Sequence, residues 1–495
     1  MRLLFLLFSS VILASCVLAK YGDEVSDYIT KQSPISEDGI LRNTGIRAGA
    51  KPGVVAVATP VPDQPAYAYT WIRDAAFIYD LWLNRLAWGN ATYRPLVDDA
   101  VRVLAASQVV PNPSGRVDTG GLAEPRFRLD LSPDLGPFAR PENDGPPVRA
   151  NVLIKYAEWL LDNDNGTWVA EALWPVINTD LGWVYRHWNE SSFELWETIY
   201  TESFWTAAMQ HRALYAGAML GRKLGRTDIE GYEQGSHTIL SYMQTFWDAE
   251  GGFMRGNTVY DRSGIDSAAL LVSTFNYDPS ADCDARTFQP CSDRALSSLK
   301  MLVDNFKSLY PVSREIPEHK PGPVGLFLEH EYGGGFPWYF TTFYAAQQLY
   351  DALSTWDALG AITVTPVSVR FFRAFSADVA TGAYGSSSDM YRTLADGVRA
   401  YADDLVLLCA QHGPEDGQLP EGWDRATGQP VGATGLTWSY AASLTAFHAR
   451  AGWMPAPWGA RGAAGLDDGL LNAPAPENVD GFRNQVADPL CLFST

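Results

Sequence analysis

Apolar residues recur at intervals of three and four along most of the chain, the spacing that lines up one face of an α-helix. The pattern predicts helices near 74–88, 93–110, 147–162, 170–187, 202–224, 231–248, 264–274, 293–310, 338–358, 366–376, 389–411 and 438–451. Loops rich in Gly, Pro, Asp and Ser join them. Three are long, at 111–145, 311–337 and 412–436. Loops of that length in a compact domain usually carry function or close over a site. A dozen helices running up and down fit a closed double ring, an (α/α)6 barrel of the all-α class. No Ser/Thr/Pro-rich linker divides the chain, so residues 20–458 are expected to form one large domain. Residues 459–495 belong to a Gly-, Ala- and Pro-rich stretch and are expected to be an irregular tail.

Composition narrows the function. The formal net charge is -20, and such a surface repels phosphate backbones, so a nucleic-acid partner is not expected. A neutral ligand suits it better. The 17 Trp and 23 Tyr exceed what a core alone demands and can stack on flat ligands such as sugar rings.

The N-terminus reads as a secretory signal over residues 1–19. Arg2 supplies the positive start, Leu3 to Leu13 the short apolar run, and Val17-Leu18-Ala19 a small-residue cleavage site. No other stretch is long and apolar enough for a membrane helix, so a secreted, extracellular protein acting as a monomer is expected. Cys16 would leave with the signal. Cys283 and Cys291 lie close together in a polar stretch and suit a disulfide in an oxidising compartment. Cys409, in an apolar run, reads as a buried thiol, with pairing to Cys491 left open. Asn90, Asn165 and Asn189 each begin a glycosylation sequon. No Cys or His cluster has zinc-ligand spacing, so neither metal nor cofactor is expected.

Three segments carry candidate chemistry. In Phe193-Glu194-Leu195-Trp196-Glu197-Thr198, two acids flank a tryptophan. Burial among aromatic groups raises a carboxyl pKa and makes a general acid. The plain alternative is an acidic turn ahead of a helix. In Pro420-Glu421-Gly422-Trp423-Asp424-Arg425, Glu421 stands in a long loop, where a solvated acid is the ordinary reading. In Tyr67-Ala68-Tyr69-Thr70-Trp71-Ile72-Arg73-Asp74, an adjacent Arg and Asp can grip sugar hydroxyls while rings stack. Asp74 would otherwise serve as a helix N-cap.

Together these segments resemble, in order, the motifs of fungal-type glucoamylases of glycoside hydrolase family fifteen. Other matching stretches are Gly121-Leu122-Ala123-Glu124-Pro125-Arg126-Phe127, Asp144-Gly145-Pro146, Gln210-His211-Arg212-Ala213-Leu214 and Thr287-Phe288-Gln289-Pro290-Cys291. Further ones are Pro337-Trp338, Gln348-Leu349-Tyr350-Asp351-Ala352-Leu353 and Leu436-Thr437-Trp438-Ser439-Tyr440-Ala441-Ala442. The resemblance runs from about residue 50 to 458 and is colinear throughout, with no starch-binding domain appended.

The resemblance implies an (α/α)6 barrel with a pocket at one end. It implies release of glucose from nonreducing ends of α-glucans such as starch, with inversion. Glu197 falls at the family's general acid and Glu421 at its general base. Arg73 and Asp74 match the residues that hold the terminal glucose, and Tyr67 and Trp71 match aromatics lining that subsite. Trp196, Tyr332, Trp338 and Trp438 match further substrate-binding positions. Phe138, Arg140 and Asp144 fall on a loop that supports the site. An inverting pair should stand about 6.5–9.5 Å apart, to leave room for one water.

The sequence also departs from the family. A second acid usually follows the general acid, and here that place is Thr198. The family's Gly-Arg-Tyr-Pro-Glu-Asp loop reads Gly325-Leu326-Phe327-Leu328-Glu329-His330, so the expected Arg is Leu326 and the expected Asp is His330. Phe138 stands where the family has Trp. These changes affect the sugar next to the cleaved bond, so an altered preference for that unit is expected. The alternatives are a related α-glucosidase acting on trehalose or α-1,6-glucans, or a silent carbohydrate-binding paralogue.

Overall fold

A computed structural model describes residues 24–61, 67–163, 166–259 and 261–464. Within them lie twelve helices of eight or more residues. They are α1 (24–42), α2 (Ile72–Ala87), α3 (Arg94–Gln108), α4 (Gly145–Leu161), α5 (Trp174–His187) and α6 (Phe204–Lys223). The second half holds α7 (Tyr232–Met243), α8 (Ala268–Phe275), α9 (Asp293–Leu309), α10 (Tyr339–Leu359), α11 (Asp389–His412) and α12 (Thr437–Arg450).

Two kinds of helix alternate. The even-numbered ones are buried almost all round: α6 is covered at nearly every position from Phe204 to Gly221, and α10 from Tyr339 to Leu353. The odd-numbered ones bury a stripe. In α9 that stripe is Ala295, Leu296, Leu299, Leu302, Val303 and Phe306. A helix apolar all round belongs inside, and one with a single apolar stripe belongs outside. The contacts agree: α2 packs on α4, α4 on α6, α6 on α8, α8 on α10, α10 on α12, and α12 back on α2. The inner ring therefore closes, and the outer helices flank it as an (α/α)6 barrel. Strands occur only in two-stranded antiparallel pairs among the described residues. Three of them matter below: β1 (Tyr69–Trp71) pairs with β2 (Arg126–Arg128), and β3 (Ser192–Phe193) with β4 (Tyr200–Thr201). Trp423 and Gly422 pair with Pro430 and Val431.

Three sequence-based readings change. The expected helix at 366–376 is only a four-residue turn, Val369–Phe372. Pro366 and the strand Ala361–Val364 just before it leave no room for more. The twelfth helix is instead α1, whose inward face breaks the apolar rhythm with Gln32, Ser36 and Gly39. Those polar groups are satisfied. Gln32 Nε2 donates to the Gly417 carbonyl (2.9 Å) and to Ser36 Oγ (3.0 Å), and Ser36 Oγ shares a hydrogen bond with Ser443 Oγ (2.8 Å). Asp74 is not an N-cap either: α2 starts at Ile72, so Asp74 lies inside its first turn.

The Cys283–Cys291 disulfide is formed, and Cys409 is a buried thiol on α11. Asn90 and Asn189 are exposed. The signal at 1–19, Asn165, Cys491 and most of the tail at 459–495 lie outside the described residues. Among the described residues no helix is long and apolar enough to cross a membrane.

Candidate active site

Each inner helix has the site at its N-terminal end. Arg73 and Asp74 open α2, and Asp144 directly precedes α4. Glu194 to Thr198 form the tip of the β3–β4 hairpin ahead of α6. Asp266 precedes α8, Trp338 precedes α10, and Glu421 lies in the loop before α12. The site residues thus come from the segments that lead into the six inner helices.

Glu197 sits at the hairpin tip with a left-handed backbone, φ 63°. That conformation costs a non-glycine residue about 1–3 kcal/mol, so the surroundings must impose it. Glu194 does so. Its buried carboxylate accepts from the amides of Trp196 (2.8 Å) and Thr198 (3.0 Å) and from Thr198 Oγ1 (2.7 Å). Its carbonyl accepts from the Glu197 amide (2.8 Å). The Glu197 carboxyl is then held by Trp71 Nε1 (2.7 Å) and Arg73 Nη2 (3.1 Å), both on Oε1. A quarter of its side chain stays exposed.

Arg73 is a buried hub. It pairs with Glu142 (2.5 Å), Asp144 (3.1 Å) and Glu197 (3.1 Å), with Asp74 at 3.7 Å. Trp205 Nε1 also donates to Asp144 (2.8 Å). One guanidinium cannot keep four buried carboxylates ionised. Burial pushes Glu197 up to about 7, against the pull of Arg73 and with a further push from Asp74. It lifts Asp74 to about 6 and Glu142 well above the usual carboxylate range. Glu197 is thus protonated at mildly acidic pH.

Glu421 faces the other end of the 67–71 segment. Tyr67 Oη donates to its Oε1 (2.7 Å) and also hydrogen-bonds Tyr332 Oη (2.7 Å). The side chain is buried and Oε2 lacks a hydrogen-bond partner. Burial raises its pKa, while Tyr67, the Ala433 amide and Tyr332 oppose the rise. Gly432 passes so close that a Cβ there would lie 2.2 Å from Oε2, and its φ is +84°. Only glycine lets the chain approach the carboxylate in this way.

Aromatic rings close the floor. Trp438 stacks on Phe340 with centroids 4.0 Å apart, packs against Phe77 and donates to Tyr344 Oη (2.9 Å). Trp196 stacks on the same pair and donates to Asp266 (2.8 Å). Burial, with Glu194 close by, pushes Asp266 up to about 7.

A family model described as "Glycosyl hydrolases family 15" matches residues 34–448. The chain belongs to glycosyl hydrolase family 15. A family 15 relative, glucoamylase-1 of Schizophyllum commune, is 41% identical over 461 residues, covering 92% of this chain and 79% of that protein. Glucoamylase of Neurospora crassa is 40% identical over 451 residues, covering 89% and 71%. The solved family 15 glucoamylase of Hypocrea jecorina superposes with a TM-score of 0.87 at 39% identity, covering 90% of this chain and 75% of that one.

In this family 15 hydrolase the sequence-derived residues fall into three groups. Tyr67, Trp71, Arg73, Asp74, Asp144, Trp196, Tyr332, Glu197 and Glu421 form the connected network just described. Phe138 and Arg140 lie one step back. Phe138 packs edge-on to Trp71 and beneath the Arg126 guanidinium (3.6 Å), while Arg140 pairs with Glu124 (3.0 Å) and the Gly136 carbonyl (2.7 Å). Trp338 and Trp438 are buried in the aromatic cluster. Sequence reasoning missed Glu142 and Asp266. Glu142 could have been suspected, as an acid two residues from Asp144 on a supporting loop. Asp266 carries no local signal.

Proposed function

We propose that this glucoamylase-type hydrolase releases glucose from nonreducing ends of α-glucans by a single inverting displacement, with Glu197 as general acid and Glu421 as general base. One observation carries the assignment: two carboxyls hang from opposite ends of one short segment, one held protonated by burial and the other accepting a hydrogen bond from Tyr67. Glu197 Oε1 is occupied by Trp71 and Arg73, which leaves Oε2 to deliver a proton to the departing glycosidic oxygen. Glu421 takes the proton of a water attacking the anomeric carbon from the opposite face. Tyr67 stabilises the charged form of Glu421 that is ready to accept the proton. Trp71, Asp74 and Trp196 border the place of the terminal sugar. The aromatic floor admits a chain end and stops a chain from threading through, which makes the action exo.

The same proposal covers the setting: a secreted, glycosylated enzyme with a leader over 1–19, working as a monomer on a neutral glucan. Glu197→Gln is expected to lower kcat by about 10²–10⁴-fold while substrate binding persists. Proton NMR of the first-formed product should show β-glucose. A first-formed α-anomer, or a Glu197→Gln enzyme of undiminished kcat, would remove the assignment.

A further inference from the structure

The site has an inner and an outer side. Arg73 grips Glu197 from the buried floor, so a leaving sugar departs past the outer side, where Thr198, Arg262, Phe327, His330 and Tyr332 stand. Arg262 comes from the loop between β4 and α8. Its Nη1 and Nη2 both donate to Thr198 Oγ1 (3.2 Å each), and its guanidinium lies 4.3 Å from the centre of the Phe327 ring. It makes no ion pair among the described residues, and Glu194 and Asp266 sense its charge only from a distance.

His330 is the second group. Its ring lies 5.1 Å from Phe327 and 6.1 Å from Tyr332. Burial, with the nearby Arg262 charge, presses its pKa down to about 4, so the imidazole is neutral across the working range. Its Nδ1 is buried without a hydrogen-bond partner. Leu326, by contrast, is buried, and its carbonyl accepts from Ser267 Oγ (2.9 Å).

We propose that Arg262, together with His330, binds the first sugar on the leaving side and determines which α-glucosides are cleaved, favouring a neutral unit with two adjacent hydroxyls. This rests on the acid–base reading of Glu197 and Glu421. Arginine offers a rigid fork of donors and no acceptor. A neutral imidazole adds one acceptor and one donor, and a vicinal diol matches that set because each hydroxyl both gives and accepts. Thr198 is essential to the arrangement: a hydroxyl steers the guanidinium without neutralising it, whereas a carboxylate there would capture it. The cation absent from position 326 is thereby delivered from another loop, across the face of Phe327.

The test compares maltose with α-glucosyl fluoride, whose leaving group carries no sugar, in the full-length enzyme and its Arg262→Ala and Arg262→Lys variants. For Arg262→Ala, kcat/KM on maltose should fall about 10–100-fold more than on α-glucosyl fluoride, mostly through KM, with Arg262→Lys recovering part of the difference. Equal losses on both substrates would mean that Arg262 only holds the loop, and no loss on either would mean that it does not touch the sugar. Either result overturns the proposal. If the unaltered enzyme fails to turn over α-glucosyl fluoride, the acid–base reading itself falls.

Discussion

Glu197 and Glu421 have the same side chain but different surroundings. Burial raises both carboxyls, but hydrogen bonds from Tyr67, the Ala433 amide and Tyr332 hold the rise of Glu421 back, whereas Glu197 is pushed up to about 7. The acid must be protonated and the base ionised, so activity should fall as pH rises through about 7 and fall again at low pH as Glu421 is neutralised. Tyr67→Phe removes a hydrogen bond to the charged form of Glu421, which raises its pKa. The acidic limb of the kcat/KM profile should therefore move up by about one pH unit, with the basic limb in place. A shift of the basic limb alone would contradict this pairing. Sequence singled out both carboxyls through colinear family resemblance, since locally Glu197 reads as an acidic turn and Glu421 as a solvated loop acid. It did not indicate Glu194 as the brace of Glu197, nor Arg262 beside Thr198. Those roles depend on which loops meet, and loop meetings leave no periodic trace.

At the scale of elements, helix periodicity located eleven of the twelve barrel helices within a few residues of their ends. Helix α1 escaped because its buried face is polar at Gln32 and Ser36 and has no side chain at Gly39. That glycine is required: a Cβ there would lie 2.4 Å from the Tyr440 ring. Replacing a helical glycine by alanine ordinarily gains about 1 kcal/mol, but overpacking a buried ring costs about 1–3 kcal/mol or more. The clash should win, so Gly39→Ala is expected to lower the melting temperature by a few degrees. An unchanged or higher Tm would show that α1 can shift outward at no cost.

The whole molecule stores protons in its site. Asp74 and Glu197 have carboxyls raised to about 6 and about 7, from ordinary values of 3.8 and 4.5. Between roughly pH 4 and 7 these two groups bind more protons in the folded chain than in the unfolded one, so their contribution to stability declines as pH rises across that window. The net charge of -20 acts in the same direction through self-repulsion. From pH 5 to pH 8 the unfolding midpoint should fall more steeply in the parent than in an Asp74→Asn, Glu197→Gln variant; an equal or shallower fall would mean that these carboxyls are ionised in the folded state. The closed ring was legible only through colinear family resemblance, since twelve amphipathic patterns do not reveal which helices line the inside.

One short stretch of backbone has a wider consequence. Tyr67 and Trp71 each tether one carboxyl, so the chain between them acts as a ruler for the distance between acid and base. An extended chain advances about 3.3 Å per residue. The spacing for inversion, about 6.5–9.5 Å, and that for retention, about 5–5.5 Å, differ by less than one such step or little more. Tyr67 and Trp71 thus tie both carboxyls to one five-residue segment, and a displacement of a few ångströms along it is the scale that separates the two stereochemical outcomes.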